Sequence, residues 1–275
     1  MKLKELLVPL KVFSMVNNHL KIATPISDLF KKKEEAEIIS NHSDCLECRD
    51  HSIFSDRLNQ ELFHCELQPI HKFGNKEIEY LEKIKFLKTD LKLISFHLGS
   101  CYKNPILKNG RFYPNGLKVS RDQLLENAKN NLILIKKIFG SNIKIAVENN
   151  NHYKTEAYDF ITCPDFISEV VKLNDIHFLY DIAHSKISSF NFEIPLESYE
   201  KKLPMNKLIQ IHIAKPGFNE TGEIYDKHDI PTKKEFSEAI LLANKYSNVN
   251  YLTIEYYKSP SILVDLLKQL KSMLN

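Results

Sequence analysis

Apolar residues along this chain come in two alternating rhythms. Short runs dense in Ile, Leu, Val, Phe and Tyr predict strands over 6–16 (LLVPLKVFSMV), 45–51 (CLECRDH), 61–70 (ELFHCELQPI), 91–99 (LKLISFHLG), 143–150 (IKIAVENN), 176–184 (IHFLYDIAH), 208–216 (LIQIHIAKP) and 250–257 (NYLTIEYY). Between them, apolar positions recur at helical spacing over 27–40, 76–88, 121–138, 164–173, 197–202, 233–246 and 260–274. The clearest helix is RDQLLENAKNNLILIKKIF, where Leu124, Leu125, Ala128, Leu132 and Ile135 form one stripe among Lys and Asn, with Ser120 and Gly140 as cap signals.

Strands apolar on both faces need helices covering a parallel sheet, so this alternation predicts a (β/α)8 TIM barrel, one domain over 1–275. A doubly wound open sheet would carry a Gly-rich phosphate loop after its first strand. The sequence has neither G-x-G-x-x-G nor a Walker motif, which favours the barrel.

Composition narrows the class. Hydrophobic residues at 43% and charged residues at 27% are those of a globular protein, and a formal net charge of +3 gives no pull toward nucleic acid. No apolar stretch reaches the roughly 20 residues that span a bilayer. The N-terminal MKLKELLVPLKVFSMVNN is positive and then apolar, but Pro9 and Lys11 interrupt it and no small-residue cleavage site follows, so it reads as a strand rather than a signal peptide. Five cysteines, an odd and sparse set, point to a reducing, cytoplasmic setting. Cys45 and Cys48 form a CxxC without a second pair to complete a zinc ribbon, and they read as buried thiols.

The chemistry lies where the apolar runs stop. The third strand carries His64, the fourth His97, the fifth Glu148, the sixth Asp181 followed by His184, the seventh His212, the loop after it Asp226 and His228, and the eighth Glu255. Taken singly, each has a bland explanation as a satisfied core histidine, a strand cap or a solvated charge. Together, nine imidazoles and carboxylates would meet at the C-terminal rim of the barrel, where burial without compensating cations is costly. Divalent ions supply that charge, and N/O ligation without thiolates fits zinc, iron or manganese. Asp181 and His184 cannot both point inward from one strand, so Asp181 is expected to end it and His184 to lie in the following turn. Asp226 and His228, two apart, would face the same way in an extended loop. His19, His42, His152 and His177 fall outside the pattern and are expected to be surface or structural.

The segments FHCE at His64, FHLGS at His97, VEN at Glu148, YDIAH at Asp181 and His184, IHIAK at His212, YDKHD at Asp226 and His228, and IEYYKSP at Glu255 run in the order seen in the xylose-isomerase-like TIM barrels. The chain resembles that superfamily, which includes endonuclease IV and sugar isomerases and epimerases. The resemblance to endonuclease IV implies a trinuclear centre. Glu148 would bridge two metals, the first also held by His64 and His97 and the second by Asp181, His212 and Glu255. His184, Asp226 and His228 would hold the third. The DNA-facing parts depart: no Tyr follows shortly after His64, and DIPTKKEF stands where a Gly-rich loop follows DKH.

VENNNHY, the LP before LIQIHIA, YDKHDIPT and IEYYKSP are similar to the multinuclear non-heme iron oxidative enzymes that modify peptides at cysteine. That family usually has Asn where this chain has His184. The resemblance implies an iron-dependent oxidative enzyme with two or three divalent ions, iron ahead of zinc or manganese. Its substrate would be a peptide or small thiol, with a partner protein presenting the peptide, and neither a membrane nor DNA is implied. The alternatives are a sugar or sugar-phosphate isomerase or epimerase with Glu148 or Glu255 as the catalytic carboxylate, an endonuclease IV-like phosphodiesterase, and a metal-free binding module on the same barrel.

Overall fold

In the computed structural model, which describes residues 19–275, the strand expected over 6–16 lies outside the described residues. The described chain begins with β1 (Lys21–Pro25), α1 (Lys33–His42), β2 (Cys45–Arg49), β3 (Leu62–Cys65), α2 (Asn75–Leu87) and β4 (Leu93–Phe96). There follow β5 (Ile106–Lys108), β6 (Arg111–Tyr113), α3 (Arg121–Phe139), β7 (Lys144–Glu148), α4 (Pro164–Leu173), β8 (His177–Asp181), α5 (Ile182–Asn191) and α6 (Leu196–Glu200). The chain ends with β9 (Leu208–Ile213), β10 (Lys215–Phe218), β11 (Ile224–Asp229), α7 (Lys233–Lys245), β12 (Tyr251–Ile254) and α8 (Pro260–Leu274). Eight of the strands close a parallel barrel in the order β1, β12, β9, β8, β7, β4, β3, β2, which is the expected TIM barrel.

Strand alternation divides the barrel into an apolar floor and a polar mouth. Ala23, Cys45, Leu62, Leu93, Ala146, Leu179, Ile209 and Tyr251 pack against one another inside the floor. Two residues further along, the inward positions become Glu47, His64, Ser95, Glu148, Asp181 and Thr253. The outward faces carry the larger core, in which Phe63, Phe96, Phe178 and Ile211 meet helices such as α3, through Leu124, Ala128, Leu132 and Ile135. Cys45 joins the inner floor and Cys48 the outer core, so the CxxC pair points to opposite faces of β2 and cannot form a metal clip.

Three features depart from the pattern expected of the sequence. The barrel's first described strand is β1, a segment the apolar rhythm left unassigned because it is short and runs into Pro25. Strand β8 stops at Asp181 instead of continuing to 184, because Asp181 caps α5: its Oδ1 accepts from the His184 backbone N–H at 2.7 Å. Asp226 and His228 belong to a strand rather than a loop, since β11 pairs antiparallel with β10 in a hairpin above the mouth. A second hairpin, β5–β6, rises from the loop after β4, and Arg111 on it pairs with Glu223 beside β11 at 3.2 Å. Among the described residues no helix is long and apolar enough to cross a membrane.

Candidate metal centre

All nine residues singled out from the sequence meet at the barrel mouth. His64, in β3, and His97, just past β4, turn their Nε2 atoms into contact with each other. Glu148 Oε2, at the end of β7, lies 3.4 Å from the first and 3.1 Å from the second. Ser95 Oγ is 2.7 Å from His64 Nδ1, so an Nδ1–H can donate to it and leave Nε2 as the lone pair facing the group.

The other oxygen of Glu148 faces a second group. His212 Nδ1 lies 3.1 Å from Glu148 Oε1, 3.3 Å from Glu255 Oε1 and 4.0 Å from Asp181 Oδ2. Neighbouring strands explain the convergence, because Asp181 and His212 are register partners on β8 and β9, and Glu255 directly follows β12 on the other side of β9.

A third group forms where α5 meets β11. His184 Nε2 and His228 Nε2 lie 3.3 and 3.4 Å from Asp226 Oδ2, and His228 Nε2 is also 3.3 Å from Glu255 Oε2. Glu255 thus faces two groups, as Glu148 does. The Nδ1 of His184 is 2.9 Å from the Asn149 carbonyl, which can only accept, so this imidazole carries its proton on Nδ1 and leaves Nε2 toward Asp226. Asn149 also fixes the β8–α5 junction, accepting from Asp181 N and donating to the Asp181 carbonyl and Ser185 Oγ.

The electrostatics are those of an anionic cage crowded with imidazoles. Burial works against ionised Glu148 and Glu255, yet His184, His64 and His97 hold the first, and His212 and Arg49 the second, well below the usual carboxylate range. Burial pushes Asp181 up to about 7, with Glu148 and Glu255 reinforcing it against His184. Burial opposes charge on His184, His212 and His228, but the surrounding carboxylates outweigh it and raise all three. Burial, together with His64, pushes His97 down to about 3.

Whether a cation suits this cage can be asked of its unpaired atoms. Glu148 Oε2, Asp181 Oδ2, His212 Nδ1 and Asp226 Oδ1 are buried without a hydrogen-bond partner. One such atom sits in each of the three groups, and buried polar atoms left unpaired are costly. An all-N/O donor set with lone pairs turned inward at each group fits divalent metal ions. The subsets His64, His97, Glu148 and Glu148, Asp181, His184 each place ligand atoms within 4.8 Å of one another.

The structure adds residues that the strand-end reading missed. Glu47 is fully buried beneath His212, with its Oε2 3.0 Å from His212 Nε2. Arg49 pairs with both Glu47 and Glu255. Tyr257 donates to Glu255 Oε1 at 3.2 Å and packs edge-on to His228. The signal for Glu47 and Arg49 was an acid and a base alternating with Cys45 on the inward face of CLECR. The four histidines set aside stay out of the cluster: His19 and His42 are exposed, His152 stacks on Phe192, and His177 opens β8 at the floor end.

A parallel eight-stranded barrel with histidines and carboxylates at its C-terminal mouth places the chain among the xylose-isomerase-like TIM-barrel enzymes. More narrowly, it belongs to the family described as RiPP precursor modification enzyme MbnB/TglH/ChrH, whose model matches residues 76–271. That span holds His97 through Glu255 and leaves out His64, Glu47 and Arg49. Among curated proteins none matches the sequence. Of solved structures, 3-keto-D-glucoside 4-epimerase YcjR from E. coli is similar with a TM-score of 0.55 and 14% identity, covering 92% of this chain and 99% of that one. D-psicose 3-epimerase from Clostridium cellulolyticum H10 gives 0.58 and 11%, covering 93% and 98%. A xylose isomerase-like TIM barrel protein from Mycobacterium smegmatis, in complex with magnesium, gives 0.51 and 12%, covering 88% and 87%. At these identities the likeness is one of fold.

Proposed function

We propose that this chain is an iron-dependent oxidative enzyme that modifies a cysteine-bearing peptide, its nine mouth residues holding two or three divalent ions. The observation that carries this reading is the coincidence of the unpaired atoms with the three side-chain groups in a chain whose family modifies RiPP precursors. His64, His97 and Glu148 Oε2 would hold one ion. His212 Nδ1, Asp181, Glu255 Oε1 and Glu148 Oε1 would hold the second, and His184, Asp226, His228 and Glu255 Oε2 the third. Iron bound there supplies redox chemistry and open coordination positions for dioxygen and a substrate thiolate.

The chain's own residues set how a substrate arrives. Most of the cage is sealed, but the side chains of His97, His228 and Arg49 are 32%, 28% and 20% exposed, and with Tyr257 they form its open edge. A peptide enters along that edge beneath the two hairpins, and the Arg49 guanidinium favours an anionic group such as a thiolate there. The buried remainder keeps water from the reacting side. His184, which stands where the oxidative family usually has Asn, still brings Nε2 to Asp226 and so serves the same group.

Glu148 and Glu255 stay the candidate catalytic carboxylates. Both are held ionised, the state a proton acceptor needs, yet at a pKa that makes them better ligands than bases. This weighs against an isomerase in which either moves the proton. The test is incubation of iron-loaded protein with dioxygen and a short cysteine-bearing peptide encoded beside it, together with any partner that presents the peptide. The expected result is a peptide mass change that needs both iron and the cysteine. An unchanged peptide, with turnover of a ketose instead, would contradict the reading.

A further inference from the structure

His212 is distinguished from the other imidazoles of the cage by what holds its far side. His64 leans on a serine and His184 on a backbone carbonyl, whereas His212 Nε2 meets a carboxylate, Glu47 Oε2, at 3.0 Å. Glu47 comes from β2, which contributes no member of the nine. Its Oε2 also accepts from Gln210 Nε2 at 2.7 Å, and its Oε1 accepts from Arg49 Nη2 at 2.8 Å and Nε at 3.2 Å. Each oxygen therefore has two donors. Glu148 Oε2 and Asp181 Oδ2, by contrast, have none.

That difference separates two roles. Glu47 also lies within reach of His212 and Glu255 as a three-residue metal group, so position alone would allow it to be a ligand. A carboxylate with every lone-pair direction filled by N–H donors is not short of a cation. An ionised carboxylate can only accept, so the proton of His212 sits on Nε2 and the lone pair falls on Nδ1, which faces Glu148, Glu255 and Asp181. Gln210 ties the arrangement to the barrel wall, since its Nε2 also donates to Thr253 Oγ1 at 2.8 Å on the neighbouring β12.

We propose that Glu47 is a positioning residue, locked by Arg49 and Gln210, which holds His212 as the Nε2–H tautomer so that Nδ1 is presented to the second metal position. This rests on the metal centre proposed above, and it concerns a residue outside the span matched by the family model. Removing such an outer partner of a metal-bound histidine weakens binding about 10–100-fold without removing the ion's own ligands.

The test is Glu47→Gln in the full chain, loaded with zinc and titrated against a chelator beside the parent protein. Gln fills the same space but cannot accept on both sides. The variant should take up as many zinc ions as the parent at saturation and hold one of them about 10–100-fold more weakly. Parental affinity for every ion would overturn the proposal. So would loss of an ion that saturating zinc does not restore, because Glu47 would then be a ligand. Should the variant fail to fold, nitrogen-15 histidine NMR of the zinc-loaded parent answers the same question. The His212 signal, assigned by its absence in His212→Gln, should show a protonated Nε2 and a metal-bound Nδ1, and the reverse would overturn the proposal. A parent that takes up no zinc refutes the metal centre and this inference with it. A parent that loads normally beside an unaffected variant refutes the role of Glu47 alone.

Discussion

Asp181 shows how one side chain serves two purposes at once. Its Oδ1 caps α5 through the His184 backbone N–H, while Oδ2 is buried without a partner and faces His212. The two roles separate by substitution. Asp181→Asn keeps a capping oxygen and should leave thermal stability near the parent while lowering metal content. Asp181→Ala should lose metal and, in addition, about 1 kcal/mol of stability from the cap. Elemental analysis beside thermal melts reads both, and full metal content in the Asn variant would remove Asp181 from the centre. His97→Ala and Glu255→Ala should each lower metal content and abolish turnover with the barrel still folded, and full activity in either would refute the site. Glu148→Gln should cost more than one metal equivalent, because its two oxygens face different groups. At this scale the sequence was highly legible. A histidine or carboxylate breaking an apolar run at a strand end is visible without coordinates, and all nine such residues lie in the cage. Glu47 was not, because it stands inside CLECR, where the eye goes to the cysteines.

Among the elements, legibility followed how apolar each one is. Helix α4 spans 164–173 as its spacing predicts, with Pro164 at its start, because it buries a wide stripe. Helix α5 was hidden: its first turn, IAHS, continues the apolar run of β8, and only the cap geometry at Asp181 marks the change. Both hairpins were hidden too, since β5, β6 and β11 are largely exposed or half-buried and lack strand alternation. The loop after His97 yields an element-scale prediction. Gly99 has φ +71°, and its N–H and that of Leu98 donate to Asn150 Oδ1. An added Cβ would fall on the Gln68 side chain, whose Oε1 accepts from Ser100 N. Gly99→Ala should therefore destabilise the protein by about 1–2 kcal/mol from the left-handed backbone alone. It should also weaken metal binding at the His97 group, and parental melting and metal affinity together would contradict this account of the loop.

At the scale of the whole molecule, the cage couples metal binding to pH. His184, His212 and His228 have raised pKa values in the metal-free protein, so they hold protons that a metal must displace. Apparent metal affinity should rise with pH, with protons released on binding, as calorimetry in buffers of different ionisation enthalpy would read; binding indifferent to pH would contradict it. The metal-free fold should respond in the opposite sense. Raised imidazoles add stability that is fully present below their unfolded pKa of about 6.5 and lost as pH rises through the folded values. The depressed Glu47, Glu148 and Glu255 add stability that is present above about 4.3 and lost in acid. The metal-free protein should thus be most stable between about pH 4.5 and 6.5 and melt earlier on the alkaline side, where metal stabilises it most.

The central claim, a multinuclear iron centre in the mouth of this barrel, is tested most directly by elemental analysis with Mössbauer spectroscopy on protein purified without oxygen. About two or three iron ions per chain, in N/O environments, is the predicted result. Protein that carries no stoichiometric metal, or that carries zinc or manganese and takes up no iron, would contradict it.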